Sequence, residues 1–177
     1  MIHPVVNPPI RTKEDNEVLW QGIRDGLVTV IGADVSPSTM KSKDVDMWKA
    51  PFVPMGVANC STQILPVLLS EGVNKRGLSL ERVVQVSSYN PARYYGIYPQ
   101  KGTIGVGSDA DFAIVDLNKE VTWSASMAPS NADWSIYEGW KFKGWPVLTI
   151  LRGKVIMENG KIVEEPGYGK YIPRKKQ

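Results

Sequence analysis

The sequence has one cysteine, one histidine and no apolar run of membrane-spanning length. A single thiol, Cys60, excludes an internal disulfide and predicts a reducing, cytoplasmic setting. No stretch approaches the ~20 apolar residues that a spanning helix needs, so no membrane partner is expected. Met1-Ile-His-Pro4 also lacks the charged and apolar regions of a secretory signal. Excess charge is scarce, at a net +3, and Arg174-Lys175-Lys176 reads as a solvated tail. No basic groove interleaved with aromatics stands out, which argues against nucleic acid as a partner. His3, in a proline-flanked terminus, reads as exposed and inert. A metal centre needs several converging ligands, usually histidine plus carboxylate, and one histidine cannot supply them.

What is present is ordinary for a globular chain: 177 residues, 42% hydrophobic and 22% charged, enough for one core and a small appendage. Residues 7–32 read as turn, helix and strand. Pro8 and Pro9 forbid helix before them, Thr12 with Asp15 offers a capped start, and Asp25-Gly26 closes the element. Leu27-Val-Thr-Val-Ile31 is short, apolar and β-branched, the pattern of a strand covered on both faces. Residues 34–60 form a polar, proline-containing loop too long for a simple connection, a place where function concentrates. Helices are predicted over 61–70 and 80–89, the second capped by Ser79 and broken at Asn90-Pro91.

Beyond Gly96 the pattern changes to short strands, at 103–106, 112–115, 147–152, 154–158 and 161–164. Arg152-Gly153 and Glu158-Asn159-Gly160 supply the turns. Residues 118–144 between them are aromatic-rich and weakly periodic. Trp134, Tyr137, Trp140 and Trp145 read as packing or inter-subunit surface. The first half has an α/β rhythm, yet its one parallel-type strand cannot close a barrel.

Ser88-Tyr-Asn-Pro-Ala-Arg-Tyr-Tyr-Gly96, followed by the glycine and aspartate turns of 101–111 and the apolar strand 112–115, resembles the C-terminal signature of the metal-dependent cyclic amidohydrolases. The aromatic run 133–145 is similar to the hydantoinase and dihydropyrimidinase version. The resemblance, which spans nearly the whole chain, implies the C-terminal portion only of such an enzyme. The implied fold is α/β plus β: the last strand–helix units of a TIM-like (β/α)8 barrel in residues 1–96, incomplete, then part of a small β-sandwich in 97–177.

The same resemblance implies site residues. Asp34, directly after the strand, lies where parallel α/β enzymes place catalytic groups. On its own it reads as a loop cap. Asp34-Val-Ser-Pro37 resembles the Asp-His-Ser-Pro of relatives, whose aspartate binds a metal and takes a proton from the attacking water. Val35 stands where relatives often have histidine, which alters that surrounding. Pro54-Met-Gly-Val-Ala-Asn59 resembles the family's glycine loop, so the backbone of Gly56, Val57 and Ala58 is expected to bind a small cyclic amide. Cys60 reads as packing rather than nucleophile. The implied cofactor is a divalent metal, probable zinc by family chemistry, whose other ligands lie on upstream barrel strands. The chain alone is therefore expected to hold no metal and to be inactive. The missing N-terminal barrel portion, or a homo-oligomer, is the expected partner. A non-catalytic structural or regulatory subunit is the alternative.

Overall fold

The computed structural model describes residues 6, 8–44, 48–49 and 56–174. The expectations for His3, Pro54, Met55, Lys175 and Lys176 lie outside the described residues. Helix α1 (Lys13–Asp25) starts as the sequence predicts. The Thr12 hydroxyl accepts from the Asp15 N–H at 3.2 Å, and the Asp15 carboxylate accepts from the Thr12 N–H, closing a reciprocal capping box. Gly26 ends the helix in the left-handed region, its N–H donating to the Ile23 carbonyl.

The strand expected over 27–31 is not one. The segment is extended but enters no ladder among the described residues. It is held instead by isolated bonds: the Ile31 N–H donates to Val86 O at 3.3 Å, and Asn90 Nδ2 donates to Thr29 O at 2.8 Å. A ladder needs neighbouring strands, and no described residues form one beside this segment. One face does pack. Val28 and Ile31 lie against a core of Ile23, Leu68, Leu78, Val83 and Val86, while Leu27 is 82% exposed.

Helix α2 (Met40–Lys43) interrupts what reads as a long loop. The next helical path runs over 61–74. It opens with a 3-10 turn at Ser61–Gln63, continues as α3 (Ile64–Val67) and widens into a π-helical Leu68–Asn74. Ser79 caps α4 (Leu80–Val84), accepting from the Arg82 N–H. The predicted break at Asn90-Pro91 is corrected: the path widens to a π-helical Gln85–Tyr89 and continues as α5 (Asn90–Tyr94). A wide turn relieves the clash between a proline ring and the carbonyl four residues back, so the helix passes through Pro91.

Four antiparallel strands follow in the order β1-β2-β3-β4. They are β1 (Phe112–Thr122), β2 (Lys141–Leu151), β3 (Lys154–Glu158) and β4 (Lys161–Ile162). The turns at Arg152-Gly153 and Asn159-Gly160 have positive φ at all four residues, as two-residue hairpins favour. The strand expected at 103–106 is absent. Residues there are bends and turns, and Ile104 is exposed. Gly102, Gly105 and Gly107 decide this stretch, since closely spaced glycines favour turns over ladder. The aromatic run is more ordered than its weak periodicity implies, because β1 reaches Thr122 and β2 begins at Lys141. Trp123, Phe142 and Trp145 form a second core against Val67 and Tyr137. This joins the sheet to the 61–74 helix, where Asn74 Nδ2 donates to Lys143 O and Ser70 Oγ accepts from the Lys143 N–H.

The signature has a mechanical role. A Cβ on Gly102 would sit 2.5 Å from Ala92 Cβ and 2.9 Å from Ser88 O, and its φ is +82°. Only glycine lets the post-helix turn lie on α5 and the turn before it. Next to it, the Lys101 ammonium pairs with Asp109 at 2.9 Å and with Asp111. Asp111 also accepts from the Arg152 N–H at the β2–β3 turn. The Lys101 ammonium and the Gln100 amide hold the Asp109 carboxyl below its ordinary range.

Candidate functional site

The site is built from the two ends of the 34–60 connection. Asp34 follows the extended segment directly and is exposed, in the left-handed region at φ 49°. Short polar residues tolerate that conformation better than most, and it turns the chain sharply. Val35 then forms a parallel bridge with Val57, the Ser36 N–H donating to Val57 O at 3.3 Å. The bridge brings Asp34 beside Gly56, two residues 22 positions apart in sequence.

Gly56 is glycine for a reason that the sequence does not display. At φ +121°, a Cβ there would lie 2.7 Å from Ser36 Cβ and 3.2 Å from Asp34 O. The close approach that demands glycine is to the Asp34–Ser36 turn itself. Val57 is half-buried. Ala58 is fully buried, backbone and side chain together, against Ala132, Trp134 and Met40. Asn59, in the left-handed region, donates from Nδ2 to Ala132 O at 3.0 Å and to Trp134 O at 2.9 Å. Cys60 is buried, its thiol donating to Ala33 O at 3.2 Å. Burial pushes its pKa up, and the Asp34 charge adds to that. A neutral thiol bonded to backbone carbonyls is a packing group, as its sequence position suggests.

Sequence reasoning missed Lys43. A lysine in a polar loop gives every signal of a solvated side chain, yet this one is fully buried. Its ammonium donates to Gly56 O at 2.6 Å and stands 5.1 Å over the Trp134 ring. Trp134 in turn donates from Nε1 to Ser38 O at 2.9 Å. Trp134 and Trp145 are buried, whereas Trp140 is 43% exposed on the edge of the Tyr137 and Phe142 cluster.

Asp34 is the candidate ligand that the sequence named at this turn. Among the described residues, no group of three or more His, Cys, Asp or Glu side chains converges to hold a metal. These residues do not by themselves fit a metal centre. What they offer is one exposed carboxylate beside a glycine-bearing backbone turn with both arms anchored.

Residues 13–156 match the model of the amidohydrolase family. The chain is 40% identical over 96% of its length to the L-hydantoinase of Paenarthrobacter aurescens. It is 38% identical over 91% of its length to the dihydroorotase of Pyrococcus abyssi. It superposes on a crystal structure of a D-hydantoinase with a TM-score of 0.90 at 35% identity over 97% of its length. In each case the chain spans 37% of the other protein. A signature carried on a helix-to-sheet junction, a match across most of the residues and a shared three-dimensional path agree: the chain belongs to the amidohydrolase family.

Proposed function

We propose that the chain is the C-terminal portion of a cyclic amidohydrolase. The reaction is hydrolysis of the C–N bond of a hydantoin- or dihydropyrimidine-class ring to an N-carbamoyl product. The observation that carries this is the Val35–Val57 bridge, which sets Asp34 against Gly56. In this reading the water oxygen attacks the ring carbonyl and its proton passes to the Asp34 carboxylate. The C–N bond then breaks and Asp34 returns that proton to the departing nitrogen, leaving a carbamoyl NH2 group and a carboxylic acid that loses the water's second proton to solvent as the carboxylate. The backbone of 56–58 hydrogen-bonds the ring amide. The family is generally metal-dependent, and Asp34 would contribute one oxygen ligand, the others coming from barrel strands outside this chain.

The apolar face on the N-terminal half supports the need for that remainder. Leu27 is 82% exposed, and Val18 and Leu19 of α1 are exposed as well. Large apolar side chains this exposed are the kind that another element covers. A non-catalytic subunit is the second reading, favoured by Val35 at a position where histidine is frequent in relatives.

The test is hydrolysis of hydantoin and dihydrouracil by the chain joined to the remaining barrel and loaded with zinc. Asp34→Asn, measured beside it, is expected to lower kcat by ~10³-fold, within the span that a positioned base contributes, with the thermal unfolding of the protein unchanged. Metal-free, homogeneous material without turnover would instead establish the subunit reading.

A further inference from the structure

Segment 27–33 delivers Asp34, and two sets of bonds hold it against two different parts of the chain. At its end, Ala33 O accepts from the Cys60 thiol at 3.2 Å, and Val35 bridges Val57. These fix Asp34 relative to the 56–60 arm of its own connection. Farther back, Thr29 O accepts from Asn90 Nδ2 at 2.8 Å, and the Ile31 N–H donates to Val86 O at 3.3 Å. These fix the segment against the helical path that runs from α4 to α5. Asn90 stands in the Ser88–Gly96 signature, and the close packing of Gly102 on that helix does not explain its side chain.

The two anchor points of that second set match in spacing. The backbone groups of residues 29 and 31 face the same edge of an extended chain, ~6.6 Å apart, and residues 86 and 90 lie roughly 6 Å apart along a helical path. Apolar packing does not choose the register in their place. Val28 and Ile31 rest on the core of Ile23, Leu68, Leu78, Val83 and Val86. A one-residue slip would put Leu27 and Val30 there instead, side chains of the same class. That slip would shift Asp34 by ~3.3 Å along the segment. Directional bonds therefore set the register, and Asn90 supplies the side-chain member of the pair. We infer that Asn90 is a positioning residue for Asp34: its amide holds Thr29 O in the register that sets where the carboxylate stands, and so its reach to the ring nitrogen it protonates. This rests on the proposed amidohydrolase reading. Asn90 acts through the backbone between Thr29 and Asp34.

Asn90→Leu removes the donor at similar side-chain size. In the 177-residue chain it is expected to raise amide hydrogen exchange over 29–33 about tenfold, the order for losing one hydrogen bond. Exchange in α1 should stay as in the parent. In the chain joined to the remaining barrel and loaded with zinc, kcat for hydantoin is expected to fall about tenfold, since a misplaced carboxylate transfers its proton less well. KM should stay within about threefold, because the contacts that bind the ring are untouched. Asn74→Leu is the control. The Asn74 amide also bonds two backbone carbonyls, Leu69 O and Lys143 O, but at the helix–sheet junction. Its loss should lower the melting temperature and leave kcat and the exchange of 29–33 as in the parent. Parent-like kcat and exchange in a folded Asn90→Leu variant would overturn the proposal, as would an equal fall in kcat in Asn74→Leu.

Should Asn90→Leu not fold, Asn90→Asp decides. At neutral pH it keeps the shape and presents only acceptors to Thr29 O. The same rise in exchange and fall in kcat are expected, and parent-like values overturn the proposal. A complete parent protein that hydrolyses no cyclic amide would sink the amidohydrolase reading. The exchange result for 29–33 would still report separately on whether Asn90 sets the register.

Discussion

Strand β2 has a partner on each edge, whereas the equally apolar segment 27–31 has none among the described residues. The C-terminal half closes most of its own needs. Its strands pair in sequence order, its aromatic core is internal, and its turns are tied by Lys101, Asp109 and Asp111. The N-terminal half buries one face of its extended segment and leaves the other open. Among the described residues, four buried side-chain atoms have no hydrogen-bond partner: Ser38 Oγ, Asn59 Oδ1 and Gln63 Oε1, in or beside the 34–60 connection, and Trp123 Nε1 in the aromatic core. The two halves meet at the 34–60 connection, where Ala132 O and Trp134 O receive Asn59 Nδ2 and the Trp134 ring lies against the Lys43 ammonium.

The comparison breaks most visibly at the aromatic core. Phe142 is 1% exposed between Trp145, Tyr137 and Trp140, so Phe142→Ala is expected to cost about 4 kcal/mol in urea unfolding. A smaller loss would mean that the sheet half leans on the barrel half more than its contacts imply. Gly102→Ala comes next, at about 3 kcal/mol, combining an overpacked contact with Ala92 and a left-handed backbone. Its melt should fall without any change in the exchange protection of 56–60.

Leu27→Glu sharpens the other side. With the side chain 82% exposed, unfolding of the chain alone should move by no more than about 0.5 kcal/mol. Association with the remaining barrel, followed by light scattering, should instead be lost. Parent-like association would mean that this face is not where the remainder docks.

The smallest effect is a pH dependence. The Lys101 ammonium and Gln100 amide lower the Asp109 pKa in the folded state. Its contribution is therefore full above the unfolded carboxyl's pKa of ~3.9 and disappears as pH falls through the folded value. The stability gap between the parent and Asp109→Asn should be constant from pH 5 to 8 and close below about pH 4. A gap that persists at pH 2 would remove the ion pair as its cause.

Much of this was legible in the sequence, and the failures are physical. The Thr12 and Ser79 caps, the Gly26 stop and the two hairpin turns depend on bonds within a few residues, and local chemistry specified them. Segment 27–31 reads as a strand because its side chains are those of one. Whether it pairs depends on neighbouring strands, and none among the described residues lies beside it. Residues 103–106 failed because Gly102, Gly105 and Gly107 outweigh the β-branched Thr103, Ile104 and Val106. Pro91 failed because a π-helical turn absorbs it, and nothing local announces such a turn. At the site, Asp34 was found through its place after the apolar segment together with a family resemblance. Gly56 has a further reason to be glycine that the sequence does not display, the close approach of Ser36. Lys43 left no trace, because its burial is produced by Trp134, 91 positions away.

The account's central claim is that this chain carries one part, Asp34 with the 56–58 turn, of a centre completed elsewhere. The most direct measurement is zinc content and hydantoin hydrolysis for the chain alone and for the chain combined with the remaining barrel. The account predicts neither in the first case, and stoichiometric zinc with turnover abolished by Asp34→Asn in the second. Turnover that survives Asp34→Asn, or a combined protein that holds no zinc and hydrolyses nothing, would contradict it.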